Sequence, residues 1–410
     1  MANYTEKPKK KKKTVSRDIA LDKLDFYDAP APKRQPRQDK IKGRPKNIFV
    51  RCVQAVFPQS SDSSTEKLRK LVMIAAVLVF VITLFVLFKT MFGAKKGTEI
   101  NNNVRVDAGV ERDEVIHMDL ENPPEIILTA PVSTAAGEEP VPEETYETEE
   151  IDVTPVVNTP LNVNFDNLIS KNPDTRAWIK ITGMGLDDVV VQGDDNEEYL
   201  TKDFYGDESV SGTIFSHYKN KWDGTDENII LFGHNMYNGD AFASVRYYVP
   251  YDASREPIRI YKKCPTVMLA TPQQGSQTYK IFAGILVNTQ KEYGEVFKYA
   301  SKTSFRNKAD FNNFIINVMD RSWFFTDVDI TYGDQLLTLS TCYWPLGEEV
   351  DTRWVLFARK VRPGESEYVD TSLATRNYNA KLFDYFYARI GGEWYGSNWD
   401  KKKLLSYSGE

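Results

Sequence analysis

Leu336-Leu-Thr-Leu-Ser-Thr-Cys342, followed after a ten-residue interval by Arg353-Trp-Val-Leu-Phe-Ala-Arg359, are the segments from which the fold is read. The first is β-prone and opens just beyond the turn-like Tyr332-Gly333-Asp334. Side chains alternate along a strand, so Leu336, Thr338, Ser340 and Cys342 share one face and Leu337, Leu339 and Thr341 the other. A strand ending on cysteine presents a small nucleophile at the rim of a rigid sheet. The interval is long enough for a hairpin-like return that brings Arg353 beside Cys342. Arg359 would share the face of Arg353, about 20 Å further along the strand and away from the loop. A third apolar segment, Ile229-Ile-Leu-Phe-Gly-His-Asn235, breaks at Gly233 and leaves His234 at its end.

These segments resemble the sortases, membrane-anchored cysteine transpeptidases of Gram-positive bacteria. The family's Thr-Leu-x-Thr-Cys motif stands as Thr338-Leu339-Ser340-Thr341-Cys342, its histidine in Gly233-His234-Asn235, and its arginine as Arg353. The class B branch is further matched by Asn172-Pro-Asp-Thr-Arg-Ala-Trp-Ile-Lys-Ile181, by Val189-Val-Val-Gln-Gly-Asp-Asp-Asn196 and by Tyr199-Leu-Thr-Lys-Asp-Phe204. The likeness runs from Asn162 to Val361. It implies a mostly β fold, a closed sortase-type β-barrel with an N-terminal helix and an inserted helix before the cysteine strand. One transmembrane helix precedes this domain.

Outside that region the chain changes character. Of its 410 residues, 41% are hydrophobic, and the formal charge of −6 conceals an asymmetry. Residues 1–70 carry 19 Lys and Arg against 8 Asp and Glu, whereas residues 97–160 carry 2 against 16. Between them, Leu71 to Phe88 contains Thr83 as its sole polar residue. With Lys89 snorkelling and Thr90-Met91-Phe92 beyond, the run is long enough to cross a hydrocarbon core of about 30 Å. The boundaries expected are a basic cytoplasmic tail over 1–70, a transmembrane helix over 71–92 and an acidic extracellular stalk over 93–160. The catalytic domain then covers 161–362, and an aromatic-rich, partly helical extension 363–410. Lys9 to Lys13 read first as an inert solvated tail; of the specific roles, anionic headgroups in front of a span are simpler than nucleic acid, which is not expected. Basic residues before the span favour an inside N-terminus and an external catalytic domain. The stalk's Glu, Pro and Thr content predicts disorder, and its His117 is incidental.

Within the domain, Phe165, Leu168 and Ile169 have helical spacing and Pro173 marks the exit. Strands are expected over Trp178–Ile181, Asp188–Gln192, Gly212–Ser216, Ile258–Tyr261, Thr266–Ala270 and Tyr279–Ala283, with a short helix over Ala241–Val249. Phe311, Phe314, Ile315 and Val318 form a helical stripe ahead of the cysteine strand. The resemblance places one wall of the substrate groove there. His217 lacks a preceding glycine and reads as structural, in contrast to His234. Tyr378 to Ile390 is helix-compatible.

The three cysteines, Cys52, Cys264 and Cys342, are too few for a disulfide framework. A Cys264–Cys342 bridge would disable the nucleophile. No metal-ligand spacing and no phosphate-binding glycine loop occurs, so no metal or other cofactor is expected. The catalytic candidates are His234, Cys342 and Arg353. The thiolate is the attacking species, Arg353 a permanent cation, and His234 the general acid for a leaving amine. Ser340, Thr341, Tyr343 and Trp344 are the substrate-binding candidates. The resemblance implies cleavage of a C-terminal sorting-signal peptide of secreted proteins through a thioacyl-enzyme. The acyl group then passes to a peptidoglycan precursor or a pilin amine. A non-catalytic anchored binding module on the same scaffold is the alternative.

Overall fold

The computed structural model describes residues 55–111, 115, 152–250, 256–402 and 404. Expectations placed on the tail up to residue 54, on Cys52, on His117 and on most of the acidic segment lie outside these residues. The chain divides after Val79 into two units. Among the described residues the first is the start of helix α1 (Ser64–Ala108), where Lys70 Nζ meets an Asp62 carboxylate oxygen at 2.8 Å. From Leu71 to Phe92 every residue of α1 except Ile74 is exposed. Such an apolar run has the length and composition of a membrane span, and no part of its most apolar stretch is buried in the protein.

The second unit is built on a closed barrel of eight strands in the order β1-β2-β3-β4-β8-β9-β6-β5. These are β1 (Thr175–Ile181), β2 (Leu186–Val191), β3 (Phe215–Ser216), β4 (Asn228–Phe232), β5 (Thr266–Thr271), β6 (Gly275–Asn288), β8 (Leu336–Cys342) and β9 (Thr352–Lys360). The period of two sorts the core. Ala177, Ile179, Ile229, Leu231, Leu337, Leu339, Leu356 and Ala358 join in one cluster on the inner face. The opposite face of β8 and β9 contributes Leu336, Val355 and Phe357 to a second cluster under α4 (Lys308–Arg321). That helix lays down Phe311, Phe314, Ile315 and Val318, the stripe read from the sequence, and Asn307 caps it by accepting the Asp310 N–H.

A third cluster lies over β1 and β2 and corrects the stalk reading for residues 93–108. Here α1 continues as helix beyond the apolar run. Ile100, Val104 and Ala108 pack with Leu168 of α2 (Phe165–Lys171) and with Trp178, Val189, Val191 and Phe215. The Arg105 Nε–H donates to the Asp187 carbonyl at 2.9 Å, and the Asn164 N–H to that of Ala108.

Two further segments differ from expectation. Ile258–Tyr261 is not a strand; the chain forms α3 (Arg259–Lys263), closed by the Cys264 N–H donating to the Ile260 carbonyl. Over Ala241–Val249 the helix is a 3-10 turn, Ala243–Tyr248. After β9 the chain returns to the domain. β10 (Thr375–Arg376) pairs with β7 (Phe324–Phe325), and α5 (Asp384–Ile390) follows. Ala374, Ala380, Phe383 and Phe386 are buried in the first cluster, so the C-terminal segment is part of the core.

Candidate active site

The site grows out of the β4–β8–β9 ladder. β8 runs parallel to β4, with Phe232 opposite Ser340, and antiparallel to β9, with Cys342 opposite Arg353. Cys342 and Arg353 lie on the outer face of the sheet, the face carrying Ser340 and Val355 towards α4. The expected hairpin return is present. The Tyr343 N–H donates to the Thr352 carbonyl at 3.2 Å, and the Thr352 hydroxyl donates to the Tyr343 carbonyl.

His234 follows β4 and is fixed through both neighbours. The Gly233 N–H donates to the Ser340 carbonyl at 3.2 Å, and the Thr341 hydroxyl to the Gly233 carbonyl at 2.8 Å. Asn235 Nδ2 donates to the Cys342 carbonyl at 3.0 Å. The backbone of His234 is thus clamped alongside Thr341-Cys342. Gly233 is required by close approach: a Cβ there would lie 2.8 Å from the buried Phe242 ring. His234 Nε2 stands 2.8 Å from the Leu200 carbonyl. A carbonyl only accepts, so Nε2 carries a hydrogen, and in that neutral tautomer Nδ1 is the acceptor nitrogen.

The loop between β8 and β9 supplies a carboxylate to which the sequence alone assigned no role. Asp351 forms an ion pair with the Arg353 guanidinium. It also accepts from the Thr289 hydroxyl at 2.6 Å and from Trp344 Nε1 at 3.4 Å. Its position two residues before Arg353 was the available signal. These contacts and the adjacent guanidinium hold its carboxyl below the usual range, against the opposing effect of burial. Burial pushes the Cys342 thiol up; Arg353 pulls it down, and Asp351 adds to the rise. The resting group at neutral pH is therefore the thiol. Tyr299 was passed over. Its buried hydroxyl is 2.7 Å from Ser340 Oγ, and burial chiefly raises its pKa, to about 12, against a lowering by the Ser340 bond and the Arg353 charge.

Of the four substrate-binding candidates, Ser340 and Thr341 are buried and hydrogen-bonded inside the protein, to Tyr299 and to Gly233. Tyr343 is half-buried against the core, and Trp344 is exposed. The two decoys separate cleanly. His217 is buried, stacks on Tyr218 with centroids 4.8 Å apart, and accepts the Lys219 N–H at Nδ1. Arg359 is 1% exposed and bound to Asp329 and Glu365. Cys264 is free and buried, its thiol pushed up to about 12 by desolvation. A Cys264–Cys342 bridge is absent.

The arrangement offers a half-exposed thiol, a cation across the strand pair and a fixed imidazole-bearing loop. It resembles known proteins as follows. A sequence model of the sortase domain matches residues 179–361. Sortase B of Staphylococcus aureus is 28% identical over 178 residues, covering 43% of this chain and 67% of that protein. Sortase B of Listeria monocytogenes is 26% identical over 190 residues, covering 45% of this chain and 70% of that protein. Among solved structures, Clostridium perfringens sortase B is 31% identical, with 48% of this chain and 100% of that chain covered and a TM-score of 0.42.

Proposed function

The chain belongs to the sortase family, in its class B branch, and from that premise we propose that it is a cysteine transpeptidase using Cys342, His234 and Arg353. The observation that carries the reading is the register: Arg353 sits directly across the ladder from Cys342, and the residues on either side of His234 are bonded to the same end of β8.

The chemistry follows from the groups. Cys342 Sγ passes its proton to His234 and bonds to the carbonyl carbon of the scissile peptide, and the carbonyl oxygen gains charge. Arg353, whose donors are fixed in a plane, stabilises that oxygen. The C–N bond breaks as His234 protonates the leaving amine, which leaves a thioester on Cys342. An incoming amine attacks the thioester, gives its proton to His234 and expels the thiolate. Water in place of the amine gives hydrolysis.

The substrate in this reading is a sorting-signal peptide near the C-terminus of a secreted protein, and the acceptor a peptidoglycan-precursor or pilin amine. The chain is anchored by α1 with its N-terminus cytoplasmic and the barrel outside. In this reading Trp344, exposed on the loop after Cys342, contacts the peptide, its exposure being the support.

The test is cleavage of a sorting-signal peptide library by the full chain in detergent, with triglycine as acceptor. Product joined to triglycine, lost in Cys342→Ala, His234→Ala and Arg353→Ala, supports the proposal. Tight peptide binding without cleavage in the unaltered chain would instead favour a binding module on a sortase scaffold.

A further inference from the structure

The first helical turn beyond the apolar run of α1 is gripped by two loops of the barrel. Gly93 lies against Val210, and Gly97 against Ser211, where an added Cβ would come within 2.9 Å and 2.4 Å of those side chains. Lys96 Nζ is 3.9 Å from an Asp207 carboxylate oxygen. The second loop adds polar contacts: Asn238 Nδ2 donates to the Ala94 carbonyl at 3.1 Å, and the Thr98 hydroxyl donates to Asp240 at 2.8 Å. Asn238 and Asp240 belong to the loop that His234 opens and Phe242 closes through the Phe242 N–H to the His234 carbonyl at 2.8 Å.

Helical rise converts this grip into a depth. Ala94 is two residues past Phe92, or about 3 Å along the axis. A headgroup layer is roughly 5–8 Å thick on each side of the hydrocarbon core. A loop bonded to Ala94 therefore lies at headgroup level. Its tip is Tyr237, 95% exposed; Val210, packed on Gly93 at the same level, is 45% exposed. Tyrosine is the side chain enriched at membrane–water interfaces, where its ring meets apolar chains and its hydroxyl meets water. Lys95 and Lys96 occupy the same turn.

We propose that the loop following His234 is a lipid-contact element, seating Tyr237 and Val210 in the outer headgroup layer of the bilayer that α1 crosses. The inference rests on reading α1 as a membrane span and is independent of the catalytic assignment. It keeps the loop that begins at His234 at the membrane surface.

The experiment uses the full chain in vesicles of phosphatidylcholine with a minor phosphatidylglycerol fraction. An environment-sensitive NBD dye is attached at Tyr237→Cys, in a Cys52→Ser, Cys342→Ala background that leaves the buried Cys264 as the remaining thiol. Parallel labels at Phe85→Cys and Tyr368→Cys report the span and an exposed site beyond β9. The expected result is quenching of the Tyr237 label by headgroup nitroxide lipid, at least twofold stronger than at Tyr368, with a blue-shifted emission. A water-like, unquenched label at Tyr237 beside a Phe85 label quenched by mid-chain nitroxide overturns the proposal. An unquenched Phe85 label overturns the span and the proposal with it, leaving the catalytic reading untouched.

Discussion

Arg353 faces Cys342 across the β8–β9 ladder while its guanidinium is paired with Asp351, so one cation is shared between the nucleophile and a carboxylate. Burial and Asp351 raise the thiol, and Arg353 opposes them. The thiolate therefore forms only as pH rises past the ordinary cysteine value. We expect the rate of Cys342 modification by a methanethiosulfonate to keep climbing above about pH 8.5, the free-thiol value. Arg353→Met removes the lowering charge and moves the inflection higher, whereas Asp351→Asn moves it lower. Stopped-flow labelling across pH checks the order of the three; an inflection below pH 7 in the unaltered chain contradicts it.

The two arginines of β9 should divide into separate phenotypes. Arg353→Met lowers kcat/KM by about 10²–10³, the range for a lost oxyanion donor, with little change in melting temperature. Arg359→Met takes the buried guanidinium from Asp329 and Glu365, which keep Arg362 and Lys280, and costs about 1–3 kcal/mol of stability in lost charged hydrogen bonds. Its folded fraction keeps normal turnover. Thermal melts alongside initial rates separate the two, and the reverse pattern would reassign the cation.

Gly233→Ala drives a Cβ into the Phe242 ring and displaces the turn that carries His234. We expect turnover to fall by about 10²-fold, since small misplacements of a positioned group cost that much. The double variant Gly233→Ala, Phe242→Leu makes room and should recover part of the rate. Equal loss in both variants would mean the glycine serves something other than this contact.

Asp188 on β2 is buried, its carboxyl raised to about 7 chiefly by burial and lowered only in part by Arg105 and the Val189 N–H. In the unfolded chain it titrates near 4. Between those values the unfolded state gives up the proton and the folded state keeps it, so stability falls as pH rises from about 4 to about 7. Asp188→Asn removes that slope and stabilises the protein at pH 8 by a few kcal/mol, on the order set by the shift. Denaturant midpoints at pH 5 and pH 8 test it; an Asn variant less stable than the parent at pH 8 contradicts it.

The sequence made the β8–β9 register legible because alternation and the cysteine-to-arginine interval are local properties. The α4 stripe was legible for the same reason, and the decoys His217 and Arg359 were separable by motif and strand position. What escaped was long-range. Residues 93–108 look polar, yet Gly93, Gly97, Ile100, Val104 and Ala108 repeat at helical spacing and form the packed face of α1. The stripe is thin and built partly of glycines, which hydropathy does not register. Ile258-Arg-Ile-Tyr261 alternates like a strand, but four residues also make one helical turn, and the chain takes that turn as α3. Ser340 and Thr341 looked available from their motif, whereas Tyr299 and the Gly233 carbonyl, both distant in sequence, claim their hydroxyls.

The most direct measurement of the central claim is intact-mass analysis of the full chain mixed with a cleavable sorting-signal peptide and no acceptor amine. The account predicts an added mass equal to the acyl fragment, mapped to Cys342, absent in Cys342→Ala and discharged on adding triglycine. Peptide cleavage that proceeds without any adduct at Cys342, or an adduct that persists when triglycine is supplied, would contradict it.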